Sequence, residues 1–179
     1  MPVNVVPYNP QWKDWYEELR EPIWKEVREL AIDIIHVGST SVEGMSAKPV
    51  IDIDIVIDDW SKFAAITQRL NKLGYLHVGD LGIKDREAFK PSAKSVHDHH
   101  LYVVHKDSIA YRNHILLRKH LRENSEAFKR YCDLKRQLAD TAVDIDAYTR
   151  SKTELILGFL RAEGLSDKEL EETRRENLA

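Results

Sequence analysis

The stretch from Val50 to Ile57 restricts the fold of this chain more than any other, because acidic and apolar residues alternate along it. Asp52 and Asp54 stand two positions apart, with isoleucines between them and on either side. Side chains alternate between the two faces of a β-strand, so the two carboxylates would share one face while the isoleucines pack into a core on the other. Two acids this close on a rigid strand suit a hard divalent cation such as Mg²⁺.

A turn of small residues precedes this strand and follows another strand-like run at residues 32–37. The turn consists of Gly38, Ser39, Thr40 and Ser41. Its backbone N–H groups and hydroxyls could hold phosphate oxygens, and Lys48 could add a positive charge. A phosphate-binding turn beside a metal-binding strand indicates chemistry on a nucleotide.

The overall composition is that of an ordinary folded protein. The chain has 179 residues, 42% hydrophobic and 32% charged, which predicts one domain. The net charge of −3 disfavours a nucleic-acid-binding surface. No apolar run approaches the roughly 20 residues that cross a bilayer, no signal pattern is visible, and Cys132 is the sole cysteine. We therefore expect a cytoplasmic protein without an intrachain disulfide or a membrane segment.

The first part of the chain, residues 1–106, is predicted to carry the sheet. Asn9 and Pro10 begin a helix, which Pro22 should kink or divide into two short helices. Period-two patterns predict strands, and a 3.6-residue period predicts a helix. The strands are expected at 32–37, 50–57, 75–78, 86–90 and 101–104, and the helix at about 60–73.

The second part of the chain, residues 107–163, is predicted to be helical. Two helices are expected in succession after Asp107, and a third at about 144–163. Residues 164–179 form a charged helical tail that begins with a capping box from Ser166 to Glu169, and we expect its acids to face solvent. Strands followed by helices predict an α+β fold in which the helical half packs on the sheet.

Several segments together resemble a known family. The Gly-Ser turn followed by an Asp-x-Asp strand resembles the active-site signature of the nucleotidyltransferase superfamily. A closer resemblance, to the GrpB family (UPF0157), spans residues 6–162. It is carried by Tyr8–Trp12, His36–Gly44, Ala47–Ile53, His99–Val104, Tyr131–Lys135 and Tyr148–Lys152. The resemblance implies a nucleotidyltransferase-like fold, with a short mixed β-sheet flanked by helices and a C-terminal helical portion.

The resemblance also implies an activity and its site. A metal-dependent nucleotidyltransferase would move a nucleotidyl group from an NTP to a small-molecule acceptor, with Mg²⁺ or Mn²⁺ on Asp52 and Asp54. Catalytic members of the superfamily usually carry a third carboxylate on a later strand, where this chain has His100. We expect His100 to replace that acid, and an imidazole favours Mn²⁺ or another borderline ion over Mg²⁺.

Basic residues in the helical half complete the predicted site. Arg112, Arg118, Lys119, Arg122, Lys135 and Lys152 supply positive charge. Most charged helix positions face solvent, but Arg118, Lys135, Lys152 and Tyr148 fall inside the family motifs. These four are expected to form a wall that binds phosphate or an acidic substrate.

Three alternatives remain open from the sequence. The chain could be a non-catalytic module that binds a nucleotide or phosphometabolite, and relatives fused to dephospho-coenzyme A kinase would point to coenzyme A metabolism. It could be a metal-dependent phosphohydrolase that uses His100 and the two acids. The run His97-Asp98-His99-His100 could form a separate transition-metal site, although neighbouring strand residues point to opposite faces.

Overall fold

A five-stranded mixed sheet forms the centre of the computed structural model, which describes residues 4–140 and 145–178, with side chains for 4–138 and 150–178. The strands are β1 (Asp33–Val37), β2 (Ile51–Ile57), β3 (Tyr75–Gly79), β4 (Arg86–Pro91) and β5 (His99–His105). They lie in the order β1-β2-β5-β4-β3. β2 and β5 are parallel and the other neighbours are antiparallel.

Helices cover both faces of this sheet. Within the described residues they are α1 (Trp12–Val27), α2 (Phe63–Lys72), α3 (Ile109–Glu123), α4 (Ser125–Asp140), α5 (Ile145–Ala162) and α6 (Asp167–Leu178). Short 3₁₀ turns occupy Ser39–Ser41 and Trp60–Lys62. The α+β class and the strand and helix positions predicted above are confirmed to within a few residues. No helix in the described ranges combines the length and apolar character needed to cross a membrane.

One face of the sheet is apolar and closed. Ile51, Ile53, Ile55 and Ile57 of β2 have no exposed surface, as the alternation predicts. Helices α1 and α2 cover them with residues such as Trp12 and Ile66, which are also fully buried. Removing this much apolar surface from water is the main source of the fold's stability.

The other face of the sheet is polar, and it meets the helical half of the chain. Asp52 and Asp54 of β2 lie on it beside His100 and Tyr102 of β5, because residues two apart on a strand share a face. Helix α3 contacts both β1 and β5 there. The two acids therefore lie between the sheet and α3.

Helix α1 differs from its prediction. It runs without interruption from Trp12 to Val27, with Pro22 inside it, so the expected division into two helices is wrong. Leu19 and Ile23, which flank the proline, are both buried in the core. Packing of an apolar helix face outweighs the backbone hydrogen bond that proline removes.

The C-terminal tail also differs from its prediction. The capping box is confirmed, since the Ser166 N–H donates to Glu169 Oε2 at 2.8 Å. However, α6 packs on α5 and α3 and buries Leu170 and Thr173. The expectation that the tail acids face solvent is wrong for Glu169, which forms an ion pair with Arg112, and for Glu176, which is half-buried. A buried leucine on one side of α6 draws the helix onto the domain.

Candidate functional site

A cavity of about 340 Å³ lies on the polar face of the sheet, enclosed by α3, α5 and α6. Gly38, Ser39 and Asp52 line one part of it. Arg86 and Tyr102, from β4 and β5, line another part. The structure thus brings the predicted turn and the predicted acidic strand to one cavity.

Gly38 is the point at which the turn meets the acidic strand. Its φ of +70° lies in the left-handed region, and a Cβ there would stand 2.2 Å from Asp52 Oδ2. Both the backbone conformation and the lack of space therefore require glycine. The close approach fixes the backbone after β1 directly against the Asp52 carboxylate.

The hydroxyls of Thr40 and Ser41 hold the turn in shape. Thr40 Oγ1 donates to the Val50 carbonyl at 3.2 Å, and Ser41 Oγ donates to the Gly38 carbonyl at 2.6 Å. Both residues are buried and neither lines the cavity. The two hydroxyls therefore stabilise the turn, whereas the prediction gave them a contact with phosphate. Their protons are already donated to the Val50 and Gly38 carbonyls.

Residues around the turn brace it from both sides. His36 Nε2 lies 2.9 Å from Thr40 Oγ1, within hydrogen-bond distance, and the His36 ring stacks on Tyr16. Since Thr40 uses its own proton on Val50, His36 Nε2 is the donor. Burial lowers the pKa of His36 to about 4, so its ring is neutral at pH 7. His36 thus serves as a positioning residue for the turn.

Two arginines of α3 bind the carbonyls that flank the turn. Arg118 Nη1 donates to the His36 carbonyl and Arg122 Nη2 to the Ser41 carbonyl, each at 2.6 Å. Arg118 also lines the cavity, as predicted for a phosphate wall, whereas Arg122 lies outside it. Helix α3 therefore connects the turn to the helical half and brings one positive charge to the cavity.

Lys135 brings a second positive group to the turn. Its Nζ donates to Ser39 Oγ at 2.5 Å and to the Ser46 carbonyl at 3.2 Å, and it lies over the ring of Tyr131. The side chain is only 4% exposed. Burial, together with the charge of Lys152, lowers the pKa of Lys135 to about 7. An anion beside Ser39 would restore the full charge on this amine.

Asp52 and His100 form a pair across the parallel strands β2 and β5. They are register partners, and His100 Nδ1 lies 2.8 Å from Asp52 Oδ1. His100 therefore stands next to the first acid, in the place where the resemblance leads one to expect a third carboxylate. Whether it binds a metal there stays a prediction.

Asp54 forms a second pair, with His114 of α3. His114 Nδ1 lies 2.6 Å from Asp54 Oδ2. Burial pulls the pKa of His114 down, but the charge of Asp54 and its hydrogen bond outweigh burial and raise the pKa overall. Asp54 is completely buried, and its Oδ1 has no hydrogen-bond partner. A buried carboxylate oxygen without a partner is costly unless a ligand completes it.

These donors suit a divalent cation that a substrate helps to bind. Among the described residues, no three His, Cys, Asp or Glu side chains are grouped closely enough to hold a metal by themselves. Mg²⁺ usually takes one or two protein carboxylates and completes its shell with water and substrate phosphates. Asp52, which lines the cavity, fits that pattern, whereas Asp54 is fully buried beside it and does not line the cavity.

The remaining predicted residues have four different positions. Lys152 lines the cavity as expected. Lys48 is exposed and lies outside the cavity, so Lys135 rather than Lys48 is the lysine at the turn. The side chain of Tyr148 lies outside the described residues. Lys119 and Arg112, the other basic residues of α3, form ion pairs with Glu163 and Glu169.

The histidine run at the start of β5 is dispersed over different environments. His97 pairs with Glu18 at 2.7 Å, while His99 is buried against the Tyr75 hydroxyl at 2.8 Å. His100 alone points toward Asp52. The alternation of strand side chains separates these rings, so they do not converge on one ion.

Several cavity residues were not predicted as site residues. The polar ones are Arg86, Tyr102, Asn113, His114, Tyr131, Thr153, Thr173, Glu176 and Asn177. His114 is separated from Asp54 by 60 positions, and its place within the helical pattern gave no sign of the contact. For Tyr102, the shared strand face with His100 was the one available signal.

Comparison with known proteins identifies the family. The model of the family described as GrpB protein matches residues 2–161. The chain belongs to the GrpB family. Over 155 residues it is 31% identical to UPF0157 protein YqkA of Bacillus subtilis. The matched region covers 86% of this chain and 45% of YqkA. It therefore spans less than half of that relative. It is 29% identical to the glutamate-rich protein GrpB of Alkalihalophilus pseudofirmus, covering 86% and 91% of the two chains.

Solved structures show the same relationship. The crystal structure of GrpB from Enterococcus faecalis superposes with a TM-score of 0.76 at 27% identity, covering 89% of this chain and 99% of that one. The chain thus has the fold of a GrpB protein. A partial overlap with the Cid1 poly(U) polymerase has a TM-score of 0.43 at 11% identity and bears on neither activity nor substrate.

Proposed function

We propose that this GrpB protein is a metal-dependent nucleotidyltransferase that moves a nucleotidyl group from an NTP to a small-molecule acceptor. The observation that carries the proposal is the contact between Gly38 and Asp52, where the turn lies so close to the acidic strand that a Cβ would be 2.2 Å from the carboxylate. A phosphate held by the turn would thereby lie beside the carboxylate. That is the juxtaposition which nucleotidyl transfer requires.

The phosphate end of the site would consist of Ser39, Lys135 and Arg118. Lys135 already donates to the Ser39 hydroxyl, and Arg118 donates to the His36 carbonyl, two residues before Gly38. Cations positioned before the substrate arrives stabilise the charge that develops on a departing pyrophosphate without further rearrangement. Lys152, also on the cavity, adds to the same field.

The metal end would consist of Asp52 and Asp54, with His100 beside Asp52. A divalent ion bound there would neutralise the charge of the substrate phosphates. Two histidines hold the acids in place, since His100 contacts one oxygen of Asp52 and His114 contacts one oxygen of Asp54. In the reaction, the acceptor oxygen bonds to the α-phosphorus as the bond to pyrophosphate breaks, and the hydroxyl proton passes to water.

A second candidate function is a non-catalytic module that binds a nucleotide or phosphometabolite. The pairing of His100 with Asp52 favours it, because an imidazole stands where a third carboxylate is expected. Loss of that negative charge weakens two-metal catalysis while leaving the phosphate end intact. The two candidates share their ligand and differ in turnover.

Nucleotide binding tests what both candidates share. Melting temperatures are measured with ATP, GTP, CTP or UTP, each with Mg²⁺ or Mn²⁺, on the natural chain and on Asp52→Asn. A nucleotide at about 100 times its dissociation constant should stabilise the protein by about 2.7 kcal/mol, or about 5 to 10 °C. We expect a metal-dependent rise that is lost in Asp52→Asn.

Asp133→Asn is the matched control, because Asp133 is an exposed acid of α4 outside the cavity. It should keep the full rise. Release of pyrophosphate in the presence of small hydroxylated acceptors then separates a transferase from a binding module. Release of inorganic phosphate without any acceptor would instead indicate a phosphohydrolase. No rise with any nucleotide would contradict the proposal.

A further inference from the structure

The part of the cavity around Arg86 is distinct from the part that the proposed function uses. Arg86 begins β4, and the sheet order places β5 between β4 and β2. The backbone of Arg86 pairs with Val104, four residues along β5 from His100, the partner of Asp52. The Arg86 guanidinium, however, lies over the ring of Tyr102, which is the register partner of Asp54. The guanidinium thus lies on the same cavity as Asp52, toward the strand that separates β4 from β2.

Arg86 carries a charge that no described carboxylate contacts directly, although Glu176 on the same cavity lies close enough to feel it. Its guanidinium lies 4.4 Å from the ring centroid of Tyr102, and its Nε is buried without a hydrogen-bond partner. No ion pair to Arg86 is formed by any described carboxylate, in contrast to Arg112 and Arg174. Arg86 is half-buried, and guanidinium groups that are shielded from water are normally paired with an anion through their planar array of donors.

Glu176 lines the same cavity but does not pair with Arg86. Its Oε1 accepts the Lys84 N–H at 3.2 Å. Burial raises the pKa of Glu176. The carboxylate is therefore held at the wall by the backbone of residue 84, and the Arg86 donors remain available to a ligand.

Asn113 adds an unpartnered acceptor to this part of the cavity. Thr173 Oγ1 donates to the Glu169 carbonyl at 2.9 Å, so it can only accept from Asn113 Nδ2, which lies 2.9 Å away. This chain of bonds fixes the orientation of the Asn113 amide. Its Oδ1 is left buried without a partner, which suits a hydroxyl or amine of a ligand.

Helix α6 supplies one wall here through Thr173, Glu176 and Asn177. The family match ends at residue 161, whereas α6 begins at Asp167. The residues that close this end of the cavity thus lie beyond the part of the chain that the family match covers. Through Thr173, which accepts from Asn113, α6 also fixes the orientation of a cavity residue on α3.

We propose that Arg86, Tyr102 and Asn113 form the acceptor subsite, and that the acceptor is a small hydroxylated anion. Its carboxylate or phosphate binds the Arg86 guanidinium, one hydroxyl donates to Asn113 Oδ1, and another lies toward Asp52. The name acceptor rests on the proposed function above. The binding of a hydroxylated anion at Arg86 does not depend on the proposed function. It can be measured without any nucleotide.

The test follows the Arg86 Nε–H signal in ¹H–¹⁵N NMR spectra of the whole chain, assigned from its loss in Arg86→Lys. The probes are glycerol 3-phosphate, glycerate and glycerol. We expect one or both anions to shift the signal and glycerol to leave it in place. Dissociation constants from other cavity signals should rise at least about tenfold in Arg86→Gln, because a charge-assisted, forked contact is lost. Arg86→Lys, which keeps the charge but not the fork, should fall between the two.

Lys90→Gln is the matched control, since it removes one positive charge from an exposed position on the same strand. It should leave anion binding unchanged. A response to glycerol 3-phosphate alone would identify a phosphate-bearing acceptor, and a response to glycerate alone a carboxylate. No response to either anion, or an equal response to glycerol, would overturn the inference.

Nucleotide binding separates this inference from the proposed function. Arg86→Gln should bind nucleotide within about twofold of the natural chain, a change well below 1 kcal/mol. If Arg86→Gln instead loses nucleotide binding, this end of the cavity holds part of the nucleotide and the acceptor subsite is excluded. If anions bind at Arg86 but no nucleotide binds near Asp52, the proposed function fails while the subsite stands.

Discussion

The two faces of the central sheet differ in the charge of the side chains that they bury. On the face covered by α1 and α2, the isoleucines of β2 are fully buried among apolar residues. On the side covered by α3, α5 and α6, the buried Asp54 Oδ1, Arg86 Nε and Asn113 Oδ1 lack partners, two of them on charged side chains. On the α1 and α2 side, the buried atoms without partners among the described residues are the neutral Trp12 Nε1 and Thr67 Oγ1. The same strand therefore stabilises the fold with one set of side chains and presents incompletely bonded groups with the other.

The contrast shows that the protein keeps destabilising charged groups on the polar face of the sheet. Buried polar atoms without partners, and a buried amine such as Lys135, reduce stability unless a ligand binds them. Natural proteins tolerate such groups chiefly at functional sites. The apolar face should accordingly respond to mutation through stability, and the polar face through ligand binding.

Truncation of the apolar face should have the largest effect. Ile53→Ala should lower the free energy of unfolding by about 3 kcal/mol, because it leaves a cavity in a closed core. Ile32→Ala, at a position that is 49% exposed, should change it by less than about 0.5 kcal/mol. Urea denaturation measures both. A comparable loss at the two positions would contradict the assignment of this face as the main core.

Gly38→Ala tests the close contact between the turn and Asp52. Gly38 and Gly82 have similar positive φ values, +70° and +78°, but only Gly38 has a neighbour within 4 Å. Gly82→Ala should cost about 1 kcal/mol from the left-handed backbone alone. Gly38→Ala should cost about 2 to 3 kcal/mol and also weaken nucleotide binding, since Asp52 must move. Equal losses in denaturation experiments would mean that the Asp52 contact is unimportant.

Lys135 should make stability depend on pH. The pKa of Lys135 is about 7 in the folded chain and 10.5 as its ordinary value. Between these values the unfolded chain binds the extra proton, so this group's contribution to stability falls as the pH is lowered from 10.5 to 7. The slope is at most about 1.4 kcal/mol per pH unit.

The substitution Lys135→Met removes this titration. Relative to the natural chain, the variant should be more stable near pH 7, and its advantage should shrink as the pH rises toward 10.5. Lys129→Met, at an exposed position on the same helix, serves as the control and should show no such trend. Denaturation midpoints over this pH range measure the difference, and a constant difference would count against a buried amine at the turn.

His100→Asp should produce the smallest effect and the most specific one. A third carboxylate beside Asp52 should strengthen Mn²⁺ or Mg²⁺ binding about five- to tenfold, or roughly 1 kcal/mol. His100→Asn, which adds no charge, should not. Calorimetric titration of the metal in the presence of nucleotide measures the change. Higher turnover in His100→Asp would favour a weakened transferase, whereas tighter metal binding without turnover would favour a binding module.

Much of the sheet could be predicted from local patterns. The alternation of Ile and Asp in β2 predicted both its extent and its two faces, because side-chain direction in a strand depends only on neighbouring residues. The same alternation in β5 buries Leu101 and leaves His100 exposed on the polar face. Pro22 was misjudged for the opposite reason, since its effect depended on packing that lies far away in the sequence.

The site was predictable only in part. The turn at Gly38 and the acids of β2 lie close in the sequence, so their spacing and the family resemblance sufficed to find them. Lys48, chosen because it is near in sequence, is exposed, while Lys135 reaches Ser39 across 96 positions. Helical periodicity identifies which face of α4 is apolar, but it does not show which strand or turn that face will meet.

The sequence by itself therefore determined the elements, the division of β2 into an apolar and an acidic face, and the family. These depend on short-range geometry and on motifs that are contiguous in the chain. Only the tertiary structure decided that His114 lies against Asp54, that Lys135 is buried at the turn, and that α6 closes the cavity beside Arg86. Such contacts form because helices dock wherever their apolar faces are best buried, and the polar residues they carry then meet partners that no local pattern specifies.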